Sequence, residues 1–74
     1  MKLKTEQNTK SMMSRVLKAA RISLRERKLQ ADFEHGQWWI SSLKTGAQWS
    51  VVDAEGGPAV NGFDFEMVTE PEEY

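Results

Sequence analysis

Apolar residues recur at helical spacing in the first third of the chain. From about Ser11 they fall at offsets of three, four and seven, within an arc of roughly 100° on a helical wheel: Met13, Val16, Leu17, Ala20 and Leu24. No Gly or Pro interrupts residues 8–35, and the intervening residues are good helix formers. The pattern predicts an amphipathic helix that ends near Glu26 to Lys28. Three residues suit its N-cap: Asn8, Thr9 and Ser11.

The opposite side of this predicted helix is basic. Five cations follow one another at offsets of 3, 3, 4 and 3 residues and share an arc of about 140°: Arg15, Lys18, Arg21, Arg25 and Lys28. A stripe of one sign suits a polyanion, and phosphate contacts would give salt-dependent binding that tolerates many sequences. Two other interpretations stay open, an ordinary solvated helix face and charge pairing with an acidic protein surface.

Beyond the helix the hydrophobic period changes to two. Residues 29–34 alternate apolar and polar, which favours a half-buried strand over a frayed extension of the helix. Turns are predicted at His35-Gly36 and at Lys44-Thr45-Gly46. The same alternation predicts further strands over 38–43, 47–52 and 63–68. This order predicts an α+β fold in which the N-terminal helix packs on one face of a three- to four-stranded antiparallel meander.

The chain of 74 residues predicts one domain. We place it at residues 10–69, between a flexible N-terminal arm (1–9) and an acidic disordered tail (70–74). A loop over 53–62 contains three of the five glycines and an Asn-Gly pair. A domain this short buries only roughly 60% of its unfolded surface. Its stability should therefore depend on the aromatic residues and on self-association.

All three tryptophans lie close together, at Trp38, Trp39 and Trp49. Neighbouring side chains of a strand point to opposite faces of a sheet, and one helix covers only one face. We therefore expect Trp49 and one of the adjacent pair in the core. The other member of the pair would lie on the uncovered face, where an exposed tryptophan suits a protein partner or a second copy of the chain. Base stacking is less favoured, because the strands and their turns carry one cation, Lys44.

The net charge of -1 hides a strong asymmetry between the two parts of the chain. Residues 1–30 carry nine Lys/Arg and two Glu, whereas residues 31–74 carry one Lys and nine Asp/Glu. The sequence pI of about 5.8 is low for a dedicated nucleic-acid-binding protein, which typically has a strongly basic domain.

Chemistry-bearing motifs are scarce. The chain has no Cys and a single His, which excludes a thiolate or histidine-rich metal site. Four carboxylates could meet near one end of the sheet, but their spacing does not match a calcium-binding loop: Asp53, Glu55, Asp64 and Glu66. We interpret them as solvated, and His35 as a surface turn residue. No nucleophile is paired with a base, so we expect no catalytic residue, no cofactor and no metal, and a protein that is not an enzyme.

The run Gly46-Ala47-Gln48-Trp49-Ser50-Val51-Val52-Asp53-Ala54-Glu55-Gly56, followed by Gly62-Phe63-Asp64-Phe65-Glu66, resembles the C-terminal half of small uncharacterised bacterial proteins. The resemblance spans residues 46–66. It implies a bacterial or phage source and no particular activity.

These observations favour a non-enzymatic protein-interaction module that binds a protein or itself, through the charged faces or through Trp38 or Trp39. The alternative is a nucleic-acid-binding accessory protein that uses the five cations of the basic stripe. No apolar run approaches the roughly 20 residues that span a bilayer, and no secretory signal is recognisable at the N-terminus. We therefore expect a cytoplasmic protein with no membrane partner and no small-molecule ligand.

Overall fold

The structure, a computed structural model, describes residues 8–53 and 62–72, without the side chain of Asp53. Its elements are α1 (Lys10–Leu24), β1 (Leu29–Glu34), β2 (Gln37–Ser42), β3 (Gln48–Asp53) and β4 (Phe63–Thr69). One helix packs on a four-stranded antiparallel sheet, which confirms the predicted α+β fold. The predictions for residues 1–7, for the loop at 54–61 and for 73–74 lie outside the described residues.

Helix α1 has a defined start and a sharp end. The Thr9 side-chain oxygen accepts a hydrogen bond from the Met12 N–H at 3.0 Å, which satisfies one of the unpaired donors of the first turn. The helix ends at Leu24 because Arg25 adopts a left-handed conformation with φ 56°. The predicted end near Glu26 to Lys28 is therefore wrong by two to four residues. Helical periodicity alone did not reveal the left-handed residue that redirects the chain toward β1.

The sheet is a simple meander with the strand order β1-β2-β3-β4. His35 and Gly36 both have positive φ, 55° and 72°, as a two-residue hairpin turn requires. This turn pairs Glu34 with Gln37 and Phe33 with Trp38. At the other end of the chain, the backbone N–H of Glu72 donates to the carbonyl of Thr45 at 2.9 Å. That bond holds the segment after β4 beside the β2–β3 turn.

The core lies between α1 and one face of the sheet, here called the covered face. Trp38, Ile40 and Val51 are fully buried there, together with Phe63 from β4. The rings of Phe33 and Trp38 meet edge to face, with centroids 5.3 Å apart. Such a contact adds to the stabilisation that comes from burying the two rings.

The buried side of α1 differs from the predicted apolar arc. Its buried residues are Met12, Val16, Ala19 and Ala20, while Leu17 and Leu24 are half-buried. Met13, predicted to be a core residue, is 39% exposed. The helix is thus rotated by roughly 70° from the predicted orientation. Small side chains at Ala19 and Ala20 allow the helix to lie against the large rings of the sheet, and the sequence pattern gave more weight to the larger Met13, Leu17 and Leu24.

Candidate functional site

The second face of the sheet, here called the open face, is not covered by the helix. Strand alternation and the pairing register place these residues on it: Gln30, Asp32, Glu34, Gln37, Trp39, Ser41, Gln48, Ser50, Val52, Asp64 and Glu66. Trp38 is 0% exposed and Trp49 is 8% exposed, whereas Trp39 is half-buried. Trp39 is therefore the tryptophan that faces away from the helix.

Trp39 is held in a fixed orientation by the β1–β2 hairpin. Its indole Nε1–H donates to the backbone carbonyl of Glu34 at 3.2 Å. In the pairing register, Trp39 lies opposite Asp32 on one side and Ser50 on the other. The Gln30 side-chain amide donates to both carboxylate oxygens of Asp32, at 3.1 and 3.3 Å. These hydrogen bonds order the ring and the neighbouring carboxylate before any ligand arrives.

A concavity of about 230 Å³ lies beside Trp39. Its lining combines an aromatic ring, two carboxylates, an imidazole and an amide: Trp39, Asp32, Glu34, His35 and Gln48. An aromatic ring attracts cations through its negative face, and carboxylates add to that attraction. The concavity is therefore suited to a cationic or hydrogen-bond-donating group and not to an anion.

The acidic character extends across the whole open face. Asp32 and Glu34 lie on β1, while Asp64 and Glu66 lie on β4. No Lys or Arg lies on this face among the described residues of the four strands. Sequence reasoning did not connect Asp32 and Glu34 with Trp39. The two-residue turn at His35-Gly36 could have done so, because it fixes the register that places Asp32 opposite Trp39.

The five predicted cations do not form one helical stripe. Arg15, Lys18 and Arg21 lie on α1, Arg25 is its left-handed C-cap residue, and Lys28 follows in the connection to β1. All five are exposed. The Arg15 guanidinium lies 5.4 Å from the centroid of the Phe63 ring, a cation–π distance. The early helix end therefore splits the predicted stripe between α1 and the segment that follows it.

Arg27 joins the basic residues at the end of α1. In a continuing helix this residue would lie on the apolar side, away from the five cations of the predicted stripe. Because the helix ends at Leu24, Arg27 is exposed and lines a shallow depression with Arg21 and Ile22. The basic residues lie on α1 and its C-terminal connection, and the carboxylates of the open face lie on the strands.

Ser42 is the one serine whose hydroxyl meets a carboxylate among the described hydrogen bonds. Its Oγ donates to Glu26 Oε1 at 2.7 Å and accepts the backbone N–H groups of Lys44 and Thr45 at 3.2 and 3.1 Å. The residue is buried, and its hydrogen-bonding capacity is used in shaping the β2–β3 turn. We assign it a structural role.

The remaining candidate residues are the single histidine and the four carboxylates considered for metal binding or catalysis. His35 is exposed in its turn. Asp64 and Glu66 lie on the open face of β4, while the Asp53 side chain and Glu55 lie outside the described parts of the chain. No group of three or more His, Cys, Asp or Glu residues suited to a metal ion occurs among the described residues. Within the same residues, no helix is long and apolar enough to cross a membrane.

Comparison with known proteins gives no match to a family model, to a curated protein or to a solved structure. The resemblance of residues 46–66 to small bacterial proteins therefore stays an expectation.

Proposed function

We propose that this protein is a non-enzymatic interaction module that binds a cationic segment of a partner protein on its open face. The observation that carries the proposal is the position of Trp39. It lies half-buried on the face that the helix leaves uncovered, with carboxylates beside it and no Lys or Arg on that face among the described residues.

The geometry lowers the cost of binding at this tryptophan. The indole N–H is already bonded to the Glu34 carbonyl, so the ring needs little further ordering when a partner arrives. Tryptophan is also the residue whose ring attracts a Lys or Arg side chain most strongly. A partner that brings such a side chain into the concavity would contact the ring together with Asp32 and Glu34.

The same charges oppose base stacking on this face. Trp39 could in principle stack a nucleotide, but each nucleotide brings a phosphate to a surface that already carries four carboxylates: Asp32, Glu34, Asp64 and Glu66. Single-stranded nucleic acids bind to sheets whose aromatic residues are accompanied by cations. The open face therefore favours a protein partner.

Two labelled peptides of equal length test this proposal with purified protein, one rich in Lys and Arg and the other rich in Glu. The cationic peptide should bind and the acidic peptide should not. Trp39→Ala should lower the affinity for the cationic peptide by about tenfold or more, as expected for a central aromatic contact. The matched control is Met13→Ala, which removes a partly exposed apolar side chain from the helix. Equal binding of both peptides, or unchanged binding by Trp39→Ala, would contradict the proposal.

Nucleic-acid binding through the basic residues is a second candidate function. It is favoured by the exposure of all five predicted cations, Arg15, Lys18, Arg21, Arg25 and Lys28, and by their location away from the open face. Phosphate contacts would make affinity for DNA or RNA fall steeply with salt. Charge reversal by Arg21→Glu with Arg25→Glu should abolish binding, and absence of binding at low salt would reject this function.

Affinity capture from a lysate of the native host, with and without nuclease, separates the two candidates. A partner retained after nuclease treatment and lost with Trp39→Ala supports the interaction module. A partner released by nuclease supports the alternative. The resemblance of residues 46–66 also supports a bacterial or phage source. The cytoplasmic location expected from the sequence stays a proposal.

A further inference from the structure

Strand β4 forms one edge of the sheet. The strand order ends at β4, and no described segment pairs with its outer side. The strand is long, with seven residues from Phe63 to Thr69. An uncovered edge presents a row of backbone N–H and C=O groups that another strand can pair with. The opposite edge, β1, differs because α1 packs mainly against that strand.

The edge carries exposed apolar side chains as well. Met67 is 50% exposed and Val68 is 52% exposed. Met67 lies on the covered side of the sheet, opposite Trp49, and its side chain nevertheless remains half exposed. Natural proteins usually protect edge strands with charged residues, Pro, a β-bulge or a covering element. β4 contains no Lys or Pro, and its pairing with β3 shifts register only after Met67, near its C-terminal end.

The register also identifies the backbone groups that point outward. The Ser42 N–H donates to the Ala47 carbonyl at 2.8 Å, so the backbone of Ala47 faces β2. The register between β2 and β3 is continuous from Gln48 to Ser50, so backbone direction alternates along this part of β3 and Ser50 turns toward β4. Because Ser50 pairs with Glu66, the backbone of Glu66 faces β3. Its neighbours Phe65 and Met67 therefore direct their N–H and C=O groups away from the sheet.

Side-chain charge selects the kind of strand that fits this edge. Asp64 and Glu66 lie on the open side of β4, while Phe65 and Met67 lie on the other side. A partner strand would place its alternate residues beside these two rows. Lys or Arg beside the carboxylates and apolar residues beside Phe65 and Met67 form favourable cross-strand pairs. The β4 strand of a second copy fits poorly, because it would bring further carboxylates to the same edge.

We infer that the outer edge of β4 binds an extended segment of a partner protein in which cationic and apolar residues alternate, and that this segment adds to the sheet as a fifth strand. Binding of this type takes its affinity from main-chain hydrogen bonds and its specificity from alternate side chains. This edge lies two strands away from Trp39, so the inference goes beyond the proposed function and does not depend on it.

A peptide of alternating valine and lysine tests the inference on the full chain. Binding should slow hydrogen exchange at the Phe65 and Met67 amides, whereas the Asp64 and Glu66 amides should already be protected by β3. The control peptide has the same charge but carries two central prolines, which remove donors needed for strand pairing. It can still bind the open face but should leave the exchange at Phe65 and Met67 unchanged.

Two variants separate the backbone from the side chains. Met67→Pro removes an outward N–H without removing a bond to β3, and it should lower peptide affinity by about tenfold relative to Met67→Ala. Asp64→Lys with Glu66→Lys tests the charge requirement, and it should reverse the preference toward a valine–glutamate peptide.

Three results would overturn the inference. The first is an exchange rate at Phe65 and Met67 that the valine–lysine peptide leaves unchanged. The second is equal affinity of Met67→Pro and Met67→Ala. The third is a dimer of the protein itself that Met67→Pro dissociates, because the edge would then belong to a second copy of this chain.

Discussion

Two tryptophans that are adjacent in sequence lie on opposite faces of the sheet and differ in burial and in their contacts. On the covered face, Trp38 is fully buried beneath α1 and meets Phe33 edge to face. On the open face, Trp39 is half-buried, its N–H is bonded to the Glu34 carbonyl, and carboxylates lie nearby. The two residues have the same chemistry and follow each other in sequence. Their difference shows that coverage by the helix, and not residue type, separates a core tryptophan from one that stays partly accessible.

The distribution of charge sharpens this contrast. The helix and its C-terminal connection carry exposed cations, whereas the open face carries four carboxylates. The two surfaces therefore differ in the sign of their charge, and a single net charge near zero conceals both. Composition alone would therefore predict a weakly charged protein with no preference for a cationic or an anionic partner.

The largest expected effect comes from the covered face. Trp38→Ala should lower the free energy of unfolding by about 3–5 kcal/mol, because it removes a fully buried ring and leaves a cavity. A domain of this size has roughly 4–11 kcal/mol of stability in total, so the variant should be close to unfolding. Urea denaturation measures the change. A loss below about 1 kcal/mol would contradict the assignment of Trp38 to the core.

The next effect tests a polar contact at the margin of the covered face. Ser42→Ala should lower the free energy of unfolding by about 1–3 kcal/mol, because it leaves Glu26 and two backbone N–H groups of the β2–β3 turn without their partner. In a double-mutant cycle with Glu26→Ala, the double variant should lose less free energy of unfolding than the sum of the two single losses. Additive losses in denaturation would show that the Ser42–Glu26 bond contributes nothing.

A smaller effect on stability is expected at the start of α1, the helix that covers one face of the sheet. Thr9→Ala should lower the free energy of unfolding by about 1 kcal/mol, because it removes the acceptor for the Met12 N–H. Thr9→Ser retains that acceptor and should recover most of the loss in thermal or urea unfolding. If Thr9→Ser were as unstable as Thr9→Ala, the capping bond would not be the cause.

The smallest effect on stability is expected at the open face. Trp39→Phe keeps an aromatic ring and loses one hydrogen bond in an exposed position, so unfolding should change by about 1 kcal/mol or less. Its fluorescence should change clearly. Relative to its quenching of free tryptophan, caesium should quench the wild-type protein more than iodide does, because Trp39 is the accessible tryptophan and its surroundings are acidic.

The Trp39→Phe variant is also the control for this measurement, since it should lose the component that caesium quenches. If quenching persisted without Trp39, then Trp38 or Trp49 would be accessible and the contrast between the faces would fail. If iodide quenched as well as caesium, each relative to its quenching of free tryptophan, the acidic environment of Trp39 would be refuted.

Local sequence patterns predicted much of the fold. The first strand was predicted at residues 29–34 and is found there, and the next two are displaced by one residue each. The turn at His35-Gly36 and an N-cap at Thr9 were also among the predictions. These features depend on residues close together in sequence: period-two alternation, a glycine that accepts positive φ, and a side-chain oxygen at the start of a helix.

The sequence by itself determined that Trp38 and Trp39 face opposite sides of one strand, since this follows from the geometry of any strand. Only the tertiary structure decided which of them is covered, because that depends on pairing Trp38 with Phe33 and on the packing of α1 against the same face. It also decided the rotation that exposes Met13 and the arrangement of Asp32 and Glu34 beside Trp39. The physical reason is that these features arise from contacts between separate elements, whereas periodicity records each element alone.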